Sequence, residues 1–345
     1  MSSEIVLILT QDGLVNGAIY ALLALALILV FTVTRVIFVP QGEFVTYGAL
    51  TFAALRHGHV PSVVLLLVIT GLIAAAFELR TALRGPSFRN AVLPVVFYAG
   101  YPALLGFVLY YVTGAPKSLA MQVVATVAIV APLGPILWRI VFQPMANAHV
   151  LVLLIGAVAL HMLLTGVGLL AFGPEGARTE PLFDTGFTIG VISISAQSIV
   201  TIGASLVLIA ALFWAFNFTL RGKALRATAV NSVGARLVGV RPEMAATICF
   251  SLAGLVGAIS GILISAITTI YYDTGLLIAL KGFIGAIMGA LVSYPLGAIG
   301  ALMVGLVESF SSFWASAFKE AILFGSIIPV LLWLSVTRPM SDEHE

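Results

Sequence analysis

The sequence predicts an all-α polytopic membrane protein with about 9–11 transmembrane helices, some of them broken or re-entrant. Three observations predict it. Of 345 residues, 61% are hydrophobic and only 9% charged, where soluble domains carry roughly 25% charge. The mean hydropathy is +1.16. The apolar runs are continuous rather than alternating, which argues against a barrel.

The first apolar helix runs from Ile5 or Gly13 to Thr34, with Asp12 and Asn16 marking a membrane edge. Its N-terminus lacks a basic region, so it is expected to be retained rather than cleaved. A second span would follow, but Pro40, Gln41, Gly42 and Glu43 interrupt it. Proline removes a donor and kinks a helix, and glycine loosens the backbone. Non-helical backbone survives at membrane depth only under cover of protein or beside a water-filled cavity, and broken helices point to binding sites. The alternative is a break at the membrane surface beside Arg35.

Val63–Phe77 is the third span and ends in a basic stretch with Arg80, Arg84 and Arg89. Spans near Val92–Val112 and Leu119–Trp138 follow, then a short polar loop, RIVFQPMANAH. Val150–Phe172 carries His161, alone on an apolar helix: a hydrogen-bonded core histidine or a pathway group. Residues 172–196 read as an external loop with a short hairpin, because glycine, proline and β-branched residues cluster there. Gln197–Phe218 spans again, and Ala245–Ile270 returns. The final third is glycine-rich. Phe283–Leu291 is too short to cross, which suggests a re-entrant or tilted half-helix. Leu296–Phe313 and Ala321–Val336 complete the set.

Arg221–Pro242 stands apart, with Arg221, Lys223, Arg226, Arg236 and Arg241 between two long apolar segments. Its alanines and leucines predict one helix stopped by Gly239. The stretch is either a positive anchor that fixes topology or a docking surface for a cytoplasmic partner. If it lies inside, eleven of the 16 basic residues fall on that side and five outside. This bias obeys the positive-inside rule. It sets the N-terminus outside and the C-terminus in the cytoplasm. Membrane topology accounts for the basic residues, so no nucleic-acid partner is expected.

Several chemistries lack their signatures. There is no GxxxxGK[ST] phosphate loop, HExxH, GxSxG or Cys/His cluster of metal spacing. The chain is therefore expected to be no enzyme, to carry no metal and to hold no cofactor. The single cysteine, Cys249, rules out an internal disulfide and reads as packing. His57 and His59 read as a solvated turn. Glu308, in the middle of a span with Ser309, Ser311 and Ser312, is costly in lipid and must face a cavity or a partner. It is either part of a polar stripe along a pathway or a helix–helix contact. The GxxxG pairs Gly257–Gly261 and Gly285–Gly289 read as close helix packing. Few buried titratable groups argue against ion coupling within the chain.

Four stretches resemble branched-chain amino acid ABC transporter permeases of the LivH/LivM type, closer to LivH. Gly222, Ala224, Arg226, Ala227, Ala235, Gly239 and Val240 fit the family's G-x-A-x-R-A…A-x-x-x-G-[IV] coupling loop. DGLVNGAIYALLALALILVF resembles its first span, and PQGEF (40–44) its helix break, with Pro40 in place of a small residue. KGFIGAIMGALVSYPLGAIGALMVGLVESFSS (281–312) resembles its glycine-rich run, in which a Gly-Gly-x-Gly-Ser core has become Gly289-Ala290-Leu291-Val292-Ser293. Residues 85–117 look like an extra helix pair.

The resemblance implies a single transmembrane permease domain, 1–345, in the cell inner membrane. Residues 219–243 would be the cytoplasmic coupling loop, with Arg221, Gly222, Lys223, Ala224, Arg226, Ala227, Asn231, Ala235, Arg236 and Gly239 meeting the ATPase. Gln41, Gly42, Glu43, Glu308, Ser311 and Ser312 are the candidate translocation pathway. It also implies partners: a second, LivM-like permease, two cytoplasmic ATPase subunits that carry ATP and Mg, and an external solute-binding protein. The alternative is a secondary transporter or channel for small polar solutes such as amides or urea.

Overall fold

A computed structural model describes residues 3–84, 92–112, 114–183, 186–189 and 192–337. The elements are α1 (Ser3–Thr34), α2 (Gln41–Arg56), α3 (Val63–Arg84), α4 (Leu93–Tyr111), α5 (Leu119–Met145) and α6 (Val150–Phe172). The antiparallel hairpin β1 (Gly186–Ile189) and β2 (Ile192–Ser195) follows. Then come α7 (Ala196–Phe218), α8 (Leu220–Val230), α9 (Ser232–Leu237), α10 (Pro242–Ser265), α11 (Gly275–Met288) and α12 (Tyr294–Trp314). Two short helices, α13 (Lys319–Gly325) and α14 (Ile327–Thr337), close the described chain. Among the described residues, eight helices are long and apolar enough to cross a bilayer: α1, α3, α4, α5, α6, α7, α10 and α12. The protein is thus an all-α multi-pass membrane protein, with one small hairpin where a loop with a hairpin was expected.

The basic stretch lies at one end of the bundle and the hairpin at the other. α2 is the enclosed centre: 14 of its 16 residues are buried, Gln41, Glu43, Thr46 and Thr51 among them. Its neighbours reach it through small residues. An added Cβ at Gly257 would overlap Phe44, and one at Gly261 would overlap the backbone of Val45. The first of the two GxxxG pairs is therefore the α10 surface that packs on α2, and Gly285 of the second packs on Ala301 of α12.

Several boundaries differ from the sequence expectation. RIVFQPMANAH is not all loop: helical turns widen after Pro132 and Pro135 but continue to Met145. The basic stretch is two helices rather than one. Asn231 ends α8 and caps α9, its Oδ1 accepting from Gly234 N at 2.8 Å, the role an Asn side chain fills best. Gly239 ends α9 as expected, at φ 88°, with Val240 N donating back to Ala235 O at 3.0 Å. The half-helix is Gly275–Met288 and not Phe283–Leu291, so α10 stops at Ser265 and a second non-helical link, 266–274, separates them. Of the 85–117 stretch, expected as a helix pair, the described part holds one helical run, 92–112. Residues 85–91, with Arg89, and 338–345, with Arg338, lie outside the described residues.

Candidate functional site

Two helices begin in the middle of the bundle. α2 starts beside the centre of α10: Gln41 Nε2 donates to Ala253 O at 3.0 Å, and Ala253 is the twelfth of 24 residues in α10. From there α2 runs to the hairpin end, where Arg56 pairs with Glu180 at 3.3 Å. α11 starts at the same level and runs the opposite way, towards the basic loop. The two N-termini abut. A Cβ on Gly42 would overlap the carbonyl oxygen of Gly275, and a Cβ on Gly275 would lie 2.8 Å from Gly42 C and O. Only glycine on both sides allows this approach.

Each half-helix is fed by a non-helical link in the opposite half of the bundle. Residues 35–40 climb from the end of α1, beginning with Arg35 at φ 59°. Phe38, fully buried, packs on Phe44, Phe142 and Phe250 with ring centroids 5.5, 5.8 and 4.8 Å away. The helix break is therefore covered by protein inside the bundle rather than lying at its exposed end with Arg35. Residues 266–274 descend from the hairpin end. They are stitched to the 173–183 segment by the Ala177–Ile270 bridge, with both bonds 2.9 Å, and Thr179 N donates at 2.9 Å to the carbonyl of Ser265, where α10 ends.

Glu43, in the first turn of α2, is fully buried. Its Oε1 lies 2.7 Å from Nδ1 of His161, itself the twelfth of 23 residues in α6. A carboxylate at a helix N-terminus also meets the positive end of the helix dipole. Tyr47 donates its hydroxyl to Leu164 O at 2.6 Å and fixes α6 against α2. Gln41 Oε1, Glu43 Oε2 and Thr46 Oγ1 are buried without a hydrogen-bond partner. A polar atom left so is costly, and all three lie in the first turns of α2. Lone Glu43 and lone His161 were each legible; their pairing was not. In a chain with so few buried titratable groups, each was the natural partner for the other.

Glu308 lies elsewhere. Lys281 of α11 ion-pairs with its Oε1, and Tyr20 donates to its Oε2 at 2.6 Å. Lys281 also lies 3.5 Å from Glu320 and 5.8 Å from the Tyr20 ring centre. Lys281 is 7% exposed, buried inside the bundle. Ser309 donates to Leu9 O at 2.7 Å, Ser311 is buried and Ser312 is exposed, so Glu308 and Ser312 do not share a buried stripe. Gln41, Gly42 and Glu43 thus come together around the two half-helix ends, while Glu308 and Ser311 sit in a separate contact among α1, α11 and α12.

At the basic-loop end, Thr219 caps α8, accepting from Gly222 N at 3.0 Å. Gly222 sits against the backbone of Ala215 and Phe216. Arg221, Lys223, Ala227, Asn231 and Gly239 are exposed, Ala224 is half-buried, and Ala235 is buried. Arg236 is exposed and pairs with Glu243 at 2.9 Å. Arg226 turns back instead, donating to Asn217 Oδ1 at 2.9 Å and to Asn217 O at 3.4 Å. Between the basic residues stand Val230, Val233, Leu237 and Val238, from 68% to 87% exposed. A cavity of about 370 Å³ lies behind them, lined by Thr32, Arg35, Asn147, Asn231, Arg236 and Glu243 among others. Among the described residues, no three His, Cys, Asp or Glu side chains group as metal ligands would.

The family model described as the permease component of branched-chain amino acid transport systems matches residues 95–332. The high-affinity branched-chain amino acid transport system permease protein LivH of Escherichia coli (strain K12) is 26% identical over 216 residues, 61% of this chain and 70% of that protein. BraD of Pseudomonas aeruginosa, a protein of the same description, is 22% identical over 250 residues, 69% of this chain and 81% of its own. A solved structure, PsaBC from Streptococcus pneumoniae in complex with Fab, aligns over 95% of this chain and 91% of that one. It does so at 11% identity and a TM-score of 0.37, too low to bear on the fold.

Proposed function

Since the chain belongs to the branched-chain amino acid transport permease family, we propose that it is a pathway-forming subunit of an ABC importer for branched-chain or related amino acids. Separate ATPases supply the energy and an external binding protein the solute. A second permease chain completes the pore. The observation that carries this reading is the exposed tip of the α8–α9 loop. Val230, Val233, Leu237 and Val238 stand in the open among Arg221, Lys223, Arg236 and Arg241. Apolar side chains rimmed by charge are the surface a protein partner covers. A groove on each ATPase takes this tip. Closure of the ATPases then moves α8 and α9 as one body, and Gly222, wedged on Ala215 and Phe216, passes the movement to α7. The solute path includes the level where α2 and α11 meet, at Gln41, Gly42 and Glu43.

The test is co-purification. Val233→Asp together with Leu237→Asp should leave the chain in the membrane and lower recovery of the ATPases about tenfold or more. Unchanged recovery and uptake would overturn the docking role. Concentrative uptake by the purified chain alone, in vesicles without ATP, would favour a secondary transporter instead.

A further inference from the structure

We propose that the groove between α1, α7, α10 and α12 is a binding site for one anionic glycerophospholipid of the leaflet facing the basic loop. One acyl chain fills the groove and the phosphate rests on Arg226.

The groove is a cavity of about 560 Å³, within the range of small-molecule sites. Its wall is aliphatic and aromatic, with Leu29, Leu212 and Phe216 deep in it and Leu206 and Phe213 on an open rim, 61% and 56% exposed. Arg226 and Asn217 are its polar end. From Leu206 to Asn217 along α7 is about 17 Å, close to one half of a hydrocarbon core of about 30 Å. The groove therefore has the depth of a single leaflet, and its cation stands where the headgroups lie. Phe216 and Tyr294 stack at 5.7 Å and 11° near that end, an amphipathic ring pair suited to the interface.

Arg226 is the second observation. Its guanidinium is held towards the groove by two bonds to Asn217, both to neutral oxygens. No carboxylate pairs with it among the described residues. Five guanidinium donors serve two acceptors, so the others remain for an anion, and guanidinium–phosphate pairs are strong and often bidentate. A protein helix in the same groove would have to bring its own carboxylate to this depth, whereas a lipid phosphate lies there already.

The assembled transporter, stripped of lipid in mild detergent and returned to phosphatidylglycerol or phosphatidylcholine, is examined by native mass spectrometry. The expected result is one retained phosphatidylglycerol per chain, preferred about tenfold over phosphatidylcholine. Arg226→Ala should abolish the preference. Ala210→Trp, at an exposed position in the groove, should displace either lipid without touching the core. Equal retention of the two lipids, or a preference that survives Arg226→Ala, would overturn the proposal. So would an Ala210→Trp variant that keeps its lipid but loses the second permease chain, because a protein helix would then be the occupant. Lipid retention is read separately from ATPase recovery, so a failure here leaves the docking role standing.

Discussion

Glu43 Oε1 and His161 Nδ1 lie 2.7 Å apart, 118 positions apart in the chain, at the middle level of α6 and the first turn of α2. Removing one member of a buried pair leaves the other uncompensated, at a cost of about 3–5 kcal/mol. His161→Leu should lower the melting midpoint in detergent and the amount of protein in the membrane. The Glu43→Leu/His161→Leu double variant should recover much of that stability, because well-packed apolar replacements are often neutral. Uptake should stay low in the double variant. Recovery of both would reduce the pair to packing.

Lys281 and Glu308 give the contrasting case. Both Glu308 oxygens are already engaged, by Lys281 and by Tyr20. Lys281→Met alone should destabilise by about 3–5 kcal/mol, and Lys281→Met/Glu308→Leu should restore most of it. Uptake per folded molecule should be unchanged in the double variant. A loss of uptake at equal membrane level would return Glu308 to the solute path.

The contact of Gly42 with Gly275 has no room for a methyl group on either side. Gly42→Ala and Gly275→Ala should each cost about 1–3 kcal/mol or more through overpacking. The cost should appear as a lower melting midpoint. Wild-type stability in both would show that the two half-helices can separate freely.

Ala290 and Leu291 turn the chain between α11 and α12 at φ 52° and 55°. Left-handed backbone costs a residue with a Cβ about 1–2 kcal/mol. Ala290→Gly should therefore stabilise the protein by about 1 kcal/mol, a gain readable in thermal unfolding.

Much of the architecture was legible because its cause is local. Long apolar runs specify spans, Pro40–Gly42 marks a break, and Gly239 stops a helix. What escaped notice has its cause far away in the chain. The 266–274 link contains no proline; it leaves the helix because residues 176–179 offer it other hydrogen bonds. Lys281 lies in a helix interior because Glu308, 27 positions on, neutralises it. Asn231 is the exception: its capping of α9 is local, an Asn three residues before Gly234. The inward turn of Arg226 depends on Asn217, which nothing in the loop itself announces.

The enclosure of α2 also constrains how the protein is made. Its 16 residues are almost wholly shielded from lipid, and they include a glutamine, a glutamate and two buried threonines. Such a segment gains little by entering a bilayer alone. It follows α1 in synthesis, and although α5 and α6 also pack on it, its closest cover comes from α10 and α11, translated some two hundred residues later. Until those arrive its polar side chains lack the cover that the folded bundle gives them. The final placement of α2 thus depends on segments made late, and a chain truncated before α10 would leave its buried polar residues uncovered.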